Sequence, residues 1–232
     1  MANHDFAADI DAIVFDVVGT LVDEDATLAE VARRVADAVG VGDTAELHRR
    51  WTTALDERMG AVVSGAEPWR PHRELVADAA TDAITGLGAT PSAETHALVS
   101  SVDRLYRAWS DVADATARLR RGRLVAGVSN GDLDALARLA NTNRISWDVA
   151  LSTGTVHTFK PAPDAYRYAV EALALEPART LFAAAHPWDL RAAAEFGFRT
   201  AYVARPGAER PTADDRFDLA VDNLAELYDV LG

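Results

Sequence analysis

The chain has 232 residues, is 49% hydrophobic and 25% charged, and carries a formal net charge of −13 with no cysteine. That length and apolar content are enough for one large domain, or a domain with a smaller companion. The acidic balance excludes the basic footprint of a nucleic-acid binder and opposes binding to anionic membranes; the missing cysteines exclude disulfides, thiolate nucleophiles and Cys–zinc sites.

Residues 1–9 show neither the basic start nor the apolar stretch of a secretory leader, and no apolar run approaches the roughly 18–20 residues needed to cross a bilayer. A cytoplasmic protein is expected. The first element is the apolar run Ile13-Val14-Phe15, which stops at Asp16. A β-branched and aromatic run bounded by turn chemistry reads as a buried strand. Asp16 then falls at that strand's carboxyl end, where open α/β sheets bind ligands. Gly19 lets the backbone turn, and Thr20 offers a hydroxyl close to the carboxylate.

After Asp23 the pattern changes to helical period. Leu28, Val31, Val35 and Val39 mark one helix, closed by Gly40. A second is predicted over residues 44–63 with Leu47, Trp51, Leu55 and Met59 inward. The Gly65–Pro71 stretch breaks it. A third follows over 73–87, and a fourth from Pro91 to about Trp109. Residues 27–109 therefore read as almost entirely helical, without strands. From about residue 111 strands and helices alternate. Strands are expected at 124–128, 149–151, 181–184, 201–203 and 219–221, with helices at 133–141, 163–173, 190–196 and 224–231. Asp132 is placed to cap the 133–141 helix. Such alternation implies an α/β fold with a parallel sheet flanked by helices. The sheet begins at the N-terminus, is interrupted by a helical insertion, and resumes later. An insertion after the first strand hangs over the site at that strand's end and acts as a cap.

Three further stretches fall at strand ends or in the loops beyond. Val128-Ser129-Asn130-Gly131 supplies hydroxyl, amide and backbone donors. Thr158-Phe159-Lys160-Pro161, with Tyr166 further on, carries the one lysine among 23 basic residues. A lone Lys in an Arg-rich chain marks a position where a compact ammonium is not replaceable by a guanidinium. Beside a carboxylate it keeps that carboxylate ionised. Ala184-Ala185-His186-Pro187-Trp188-Asp189 supplies a carboxylate that reads as a helix cap, as a site residue, or as both. His186 reads as a general base or as a hydrogen-bonded structural residue.

In order and spacing these stretches resemble the four motifs of the haloacid dehalogenase (HAD) superfamily, across nearly the whole chain. The resemblance implies a Rossmann-like core of residues 1–22 and 111–232 and an all-helical cap of residues 23–110. HAD phosphatases carry a second Asp two residues after the nucleophile and another four residues before the last Asp. Here these positions are Val18 and Ala185. With Asp16 and Asp189 as the only obvious carboxylates, a hard cation lacks ligands, so no metal and no other cofactor are expected.

What remains resembles the 2-haloacid dehalogenase branch. That resemblance implies attack by Asp16 on C2 of an L-2-haloalkanoate, an aspartyl ester, and its hydrolysis to a D-2-hydroxy acid, organised by Lys160 and Asp189 with His186. It implies substrate binding by Val17, Val18, Thr20, Ser129, Asn130, Trp188 and Tyr166, with a small haloacid as the partner. Relatives of this kind are often homodimers, and the sequence leaves the oligomeric state open. Two departures stand out. The branch has an Arg directly after the cap Trp, where this chain has Thr52, so Arg50 on the other side of Trp51 is the candidate substitute. His186 stands at a usual Asn position. The alternatives are a HAD hydrolase of phosphatase type acting on another small anion, and a silent HAD-fold binding protein.

Overall fold

The computed structural model describes residues 6–232. Residues 1–5 lie outside it, so the reading of residues 1–9 for a leader falls mostly outside the described residues. The chain is built on a six-stranded parallel sheet in the order β5-β4-β1-β6-β7-β8. Its strands are β1 (Ala12–Asp16), β4 (Leu124–Ser129), β5 (Val149–Ser152), β6 (Thr180–Ala184), β7 (Arg199–Val203) and β8 (Leu219–Val221). β1 pairs with β4 on one side and β6 on the other, with Asp16 in register with Val128 and Phe15 with Ala183. The β1 segment is buried at every position, as expected of a central parallel strand covered on both faces.

The two faces have separate cores. Ile13, Phe15, Leu136, Leu181 and Leu227 pack on one side; Val14, Val128, Tyr166, Phe182 and Leu190 pack on the other. Helices α5 (Val112–Leu119), α6 (Leu133–Asn143), α7 (Pro163–Leu173), α8 (Pro187–Glu195) and α9 (Leu224–Leu231) supply the flanking layers. Among the described residues no helix is long and apolar enough to cross a membrane.

Between β1 and α5 the chain forms a helical layer of α1 (Glu24–Val39), α2 (Thr44–Val63), α3 (His72–Gly86) and α4 (Ala93–Val99). Leu28, Val31, Leu47, Trp51, Leu75, Ala79 and Ile84 give it a core of its own, and Phe159 from the sheet side joins that core. The layer is not purely helical. Val22–Asp23 and Arg107–Ala108 form an antiparallel ribbon, β2 with β3, where the chain leaves and re-enters the sheet region. Strands of two residues are too short to show a period, and their pairing spans some eighty intervening residues. The fourth helix also departs from expectation. It starts at Ala93, where Ser92 and Thr95 form a reciprocal capping box, and ends at Val99. The Ser101 hydroxyl bonds back to the Leu98 carbonyl, and a 3-10 turn over Val102–Arg104 leads into β3.

Asp132 occupies the N-cap position of α6 without capping it. Its carboxylate accepts instead from the His72 and Arg73 amides, at 3.3 and 3.1 Å, and so caps α3 across the groove. A helix N-terminus leaves its first amides free, and a carboxylate there satisfies both hydrogen bonding and the helix dipole. The N-cap of α3 itself is Pro71, which has no side-chain acceptor. Asp132→Ala is therefore expected to lower stability by about 1 kcal/mol, read as a shift of the urea midpoint. Asp134→Ala removes only exposed ion pairs, with Arg73 and Arg138, and is expected to shift the midpoint measurably less.

Candidate active site

The site forms where β1, β4 and β6 end side by side. Asp16 is the last residue of β1 and is 4% exposed. Two groups hold its two oxygens. Lys160 Nζ donates to Oδ1 at 2.7 Å, and the Thr20 hydroxyl donates to Oδ2 at 2.6 Å. The Thr20 hydroxyl oxygen in turn accepts from the Ala185 amide at 2.8 Å.

Lys160 reaches Asp16 from the loop after β5. Phe159, buried in the helical layer's core, anchors that loop on one side. Asn130 splints it on the other. Its Oδ1 accepts from the Lys160 amide at 2.7 Å, and its Nδ2 donates to the Lys160 carbonyl at 3.3 Å. The Lys160 ammonium also donates to Asp189 Oδ2 at 2.5 Å. The second Asp189 oxygen accepts from the Tyr166 hydroxyl. Burial works against the Lys160 charge, but Asp16 and Asp189 outweigh it and hold the ammonium above its ordinary pKa.

His186 completes the core side. Its Nε2 lies 3.7 Å from Asp16 Oδ2 and 3.2 Å from the Val18 carbonyl. The ring stacks on Trp188 with centroids 5.6 Å apart. Gly19 permits this arrangement. It has a φ of +85°, and a Cβ there would come within 2.4 Å of His186 Nε2. Only glycine satisfies both conditions without strain.

Asp16 opens onto a cavity of about 280 Å³. The core side contributes Val18, Ser129, Asn130, Lys160, His186 and Trp188. The helical layer contributes Glu24, Leu28, Thr52, Leu55, Asp56, Met59 and His72. Several residues expected to touch substrate lie elsewhere. Val17 is buried in the sheet core. Thr20 is fully buried beneath Asp16, and Tyr166 is buried behind Asp189. Asp189 has no exposure at all. Arg50 is turned away, paired with Glu46 at 2.7 Å and donating to the Gly86 carbonyl. The reason is helical geometry. Trp51 points into the layer, where its indole N–H donates to the Val76 carbonyl. Successive residues lie about 100° apart on a helix, so the residue after Trp51, not the one before it, faces the cavity.

Glu24, Asp56 and His72 are site residues that the motifs did not single out. Thr52, Leu55, Asp56 and Met59 follow the spacing of one helix face, so Asp56 was legible as a carboxylate inside an apolar stripe. Glu24 gave no such signal. Burial pushes the Glu24 carboxyl up to about 7, with Asp56 and Asp16 adding to the shift and His186 opposing it. Asp56, which is exposed, is raised by its partial desolvation at the cavity, against His186. Burial lowers His72, which favours its neutral form.

The carboxylates do not suit a divalent cation. Lys160 Nζ already bridges Asp16 and Asp189, and both Asp189 oxygens are engaged. Val18 and Ala185 offer no further carboxylate. Among the described residues no group of three or more His, Asp or Glu side chains is arranged to hold a metal ion.

The family model described as haloacid dehalogenase-like hydrolase matches residues 10–197. An (S)-2-haloacid dehalogenase of Pseudomonas fluorescens is 29% identical over 227 residues, covering 94% of this chain and 95% of that protein. One of Xanthobacter autotrophicus is 32% identical over 206 residues, covering 86% and 77%. Among solved structures, an L-2-haloacid dehalogenase aligns with a TM-score of 0.86 at 28% identity, covering 96% of this chain and 98% of that one.

Glu24 makes the site a source of pH-dependent stability. Its carboxyl rises from 4.5 to about 7 on folding, so between those values the folded protein binds more protons than the unfolded one. Its stabilising contribution is full below about 4.5 and is lost as pH rises through about 7. The shift corresponds to at most about 3.5 kcal/mol. Glu24→Gln is therefore expected to be more stable than the parent at pH 8, with the gap narrowing toward pH 5, in urea unfolding followed across that range.

Proposed function

The chain belongs to the haloacid dehalogenase-like hydrolases, and we propose that it hydrolyses short L-2-haloalkanoic acids to D-2-hydroxy acids and halide without a metal ion. The observation that carries this reading is the Asp16 carboxylate, paired with a buried ammonium and facing a cavity with Val18 beside it. Such a carboxylate is placed to act as a nucleophile, and the position two residues on holds no acid to protonate a departing oxygen. A leaving group that departs as an anion needs none.

In this reading residues 23–110 are the cap and the remainder is the core. The substrate carboxylate is met by two free donors. Lys160 has three N–H bonds and spends two on Asp16 and Asp189. The Ser129 hydroxyl oxygen accepts from the Gly131 amide, which leaves its proton to donate. An Asp16 oxygen attacks C2, the carbon–halogen bond breaks with its electron pair, and an ester forms on Asp16. Thr52, at the cavity wall, takes no part in the charge balance of that step.

Water then attacks Asp16 Cγ, which breaks the acyl–oxygen bond and preserves the inverted C2 centre. The proton must go to a group beside that carbon. Asp189 has no exposure, and both its oxygens are engaged. His186 Nε2 lies 3.7 Å from Asp16 Oδ2. At rest Nε2 faces the Val18 carbonyl, an acceptor, and so carries the ring proton; exchange of that proton to Nδ1 through solvent frees Nε2 to accept the water proton. The imidazolium then donates to the Val18 carbonyl, and its charge is met by Glu24. In this reading Asp189 and Tyr166 orient Lys160, and His186 is the base.

The test is halide release from L- and D-2-chloropropionate in excess EDTA. Release is expected from the L-isomer alone and is expected to vanish in Asp16→Asn. His186→Ala is expected to release about one halide per enzyme and stop, leaving an ester adduct on the Asp16 peptide detectable by mass spectrometry. Full turnover in His186→Ala would remove the base assignment. EDTA-sensitive phosphate release with no halide release would replace the dehalogenase reading altogether.

A further inference from the structure

We propose that Arg205 is a positioning residue that sets the attacking orientation of Asp16 through Thr20, from the junction where the chain leaves and re-enters the sheet region. The proposal rests on the reading of Asp16 as nucleophile. Arg205 lies just past β7, outside the cavity, and is 9% exposed. Its Nε donates to the Thr20 carbonyl at 2.8 Å. Its Nη1 donates to both Asp111 oxygens, at 3.0 and 2.9 Å. Asp111 Oδ2 also accepts from the Leu224 amide at the start of α9, at 2.7 Å.

The arrangement is a poor one for stability alone. Among the described residues, the buried guanidinium shares its one carboxylate with a helix N-terminus, and Arg205 Nη2 has no partner. An apolar side chain of similar volume would fill the space without desolvating a charge. What the guanidinium adds is directional. Thr20 is held at three points: its carbonyl by Arg205, its hydroxyl oxygen by the Ala185 amide, and its hydroxyl proton by Asp16 Oδ2. With Lys160 fixing Oδ1 from the other side, the Thr20 hydroxyl decides how the carboxylate plane is turned. A nucleophile that must align with a breaking bond is sensitive to that turn.

Arg205 also touches both crossings of the chain. Thr20 precedes β2, Asp111 follows β3, and the Trp109 amide donates to the Leu21 carbonyl between them. The guanidinium lies over the Trp109 ring, 5.5 Å from its centroid. One side chain therefore ties the outgoing strand, the returning strand and the nucleophile's loop to the end of β7.

The experiment measures kcat and KM for halide release from L-2-chloropropionate in Arg205→Lys, Thr20→Val and their double variant, with thermal unfolding run in parallel to fix the folded fraction at assay temperature. Arg205→Lys is expected to lower kcat about tenfold or more with KM within about threefold, the signature of a lost transition-state alignment. The double variant is expected to be no slower than the slower single, because both act through one hydroxyl. Asp111→Asn keeps the guanidinium but weakens its anchor, and is expected to shift kcat in the same direction should Arg205→Lys fail to fold. A lower melting temperature with unchanged kcat per folded molecule overturns the proposal, as do losses that multiply in the double variant. Those outcomes leave the nucleophile reading intact. Absence of halide release from the parent protein overturns both.

Discussion

The interaction on which the rest depends is the buried ammonium of Lys160 between two carboxylates. Taking one charge out of water is costly, and taking out three is tolerable only when each is paired at hydrogen-bond distance. Lys160 donates to Asp16 at 2.7 Å and to Asp189 at 2.5 Å. The remaining valences are closed by Thr20 on Asp16 and Tyr166 on Asp189. Of the three, only Asp16 and Lys160 reach the cavity. Removing Lys160 would leave two buried carboxyls with no counter-charge between them, so the ammonium is at once a structural element and part of the site's chemistry.

The fold is arranged to deliver those three groups from distant parts of the chain. Asp16 and Lys160 are 144 residues apart in sequence. A parallel sheet brings the carboxyl ends of its strands to one edge, and the central place of β1 between β4 and β6 sets Asp16 between the Ser129 and Ala185 loops. The helical layer then closes the opening. It is tied to the sheet side by the Asp132 cap on α3 and by Phe159 in its core. Both tethers adjoin site loops, Asp132 just beyond Ser129–Gly131 and Phe159 next to Lys160. Movement of the layer is therefore felt directly at the site, without a long relay.

Sequence pattern revealed those parts of this design that local chemistry determines. The apolar run ending in Asp16 and the solitary Lys160 were readable because each is an exception to its surroundings. The alternation after residue 111 gave the sheet for the same reason, since period and length distinguish strand from helix. What escaped depends on non-local geometry. Arg50 was a candidate because it adjoins Trp51, yet the contact between Trp51 and Val76 fixes the helix rotation and turns Arg50 toward Glu46. Thr20 and Tyr166 carry the polar groups expected of binding residues but are spent behind the carboxylates. Asp132 sits where a cap belongs and caps a different helix. In each case the side chain's chemistry was legible and its direction was not.

The cavity's charge pattern bears on how the proposed chemistry divides its labour. A protein of net charge −13 binding an anionic acid must meet it with a local positive site. In the proposed reading that site is the spare valence of Lys160, supplemented by the neutral donor of Ser129. The helical layer adds Glu24 and Asp56 rather than a cation. Carboxylates above the bound acid oppose its affinity, but they favour a cation that forms there later. In the proposed second step that cation is the His186 imidazolium, which stands close enough to both carboxyls to lower their pKa values. An acidic wall is thus a liability during substrate binding and an asset during ester hydrolysis. Its presence places the weight of the design on releasing the product from Asp16 rather than on holding the haloacid.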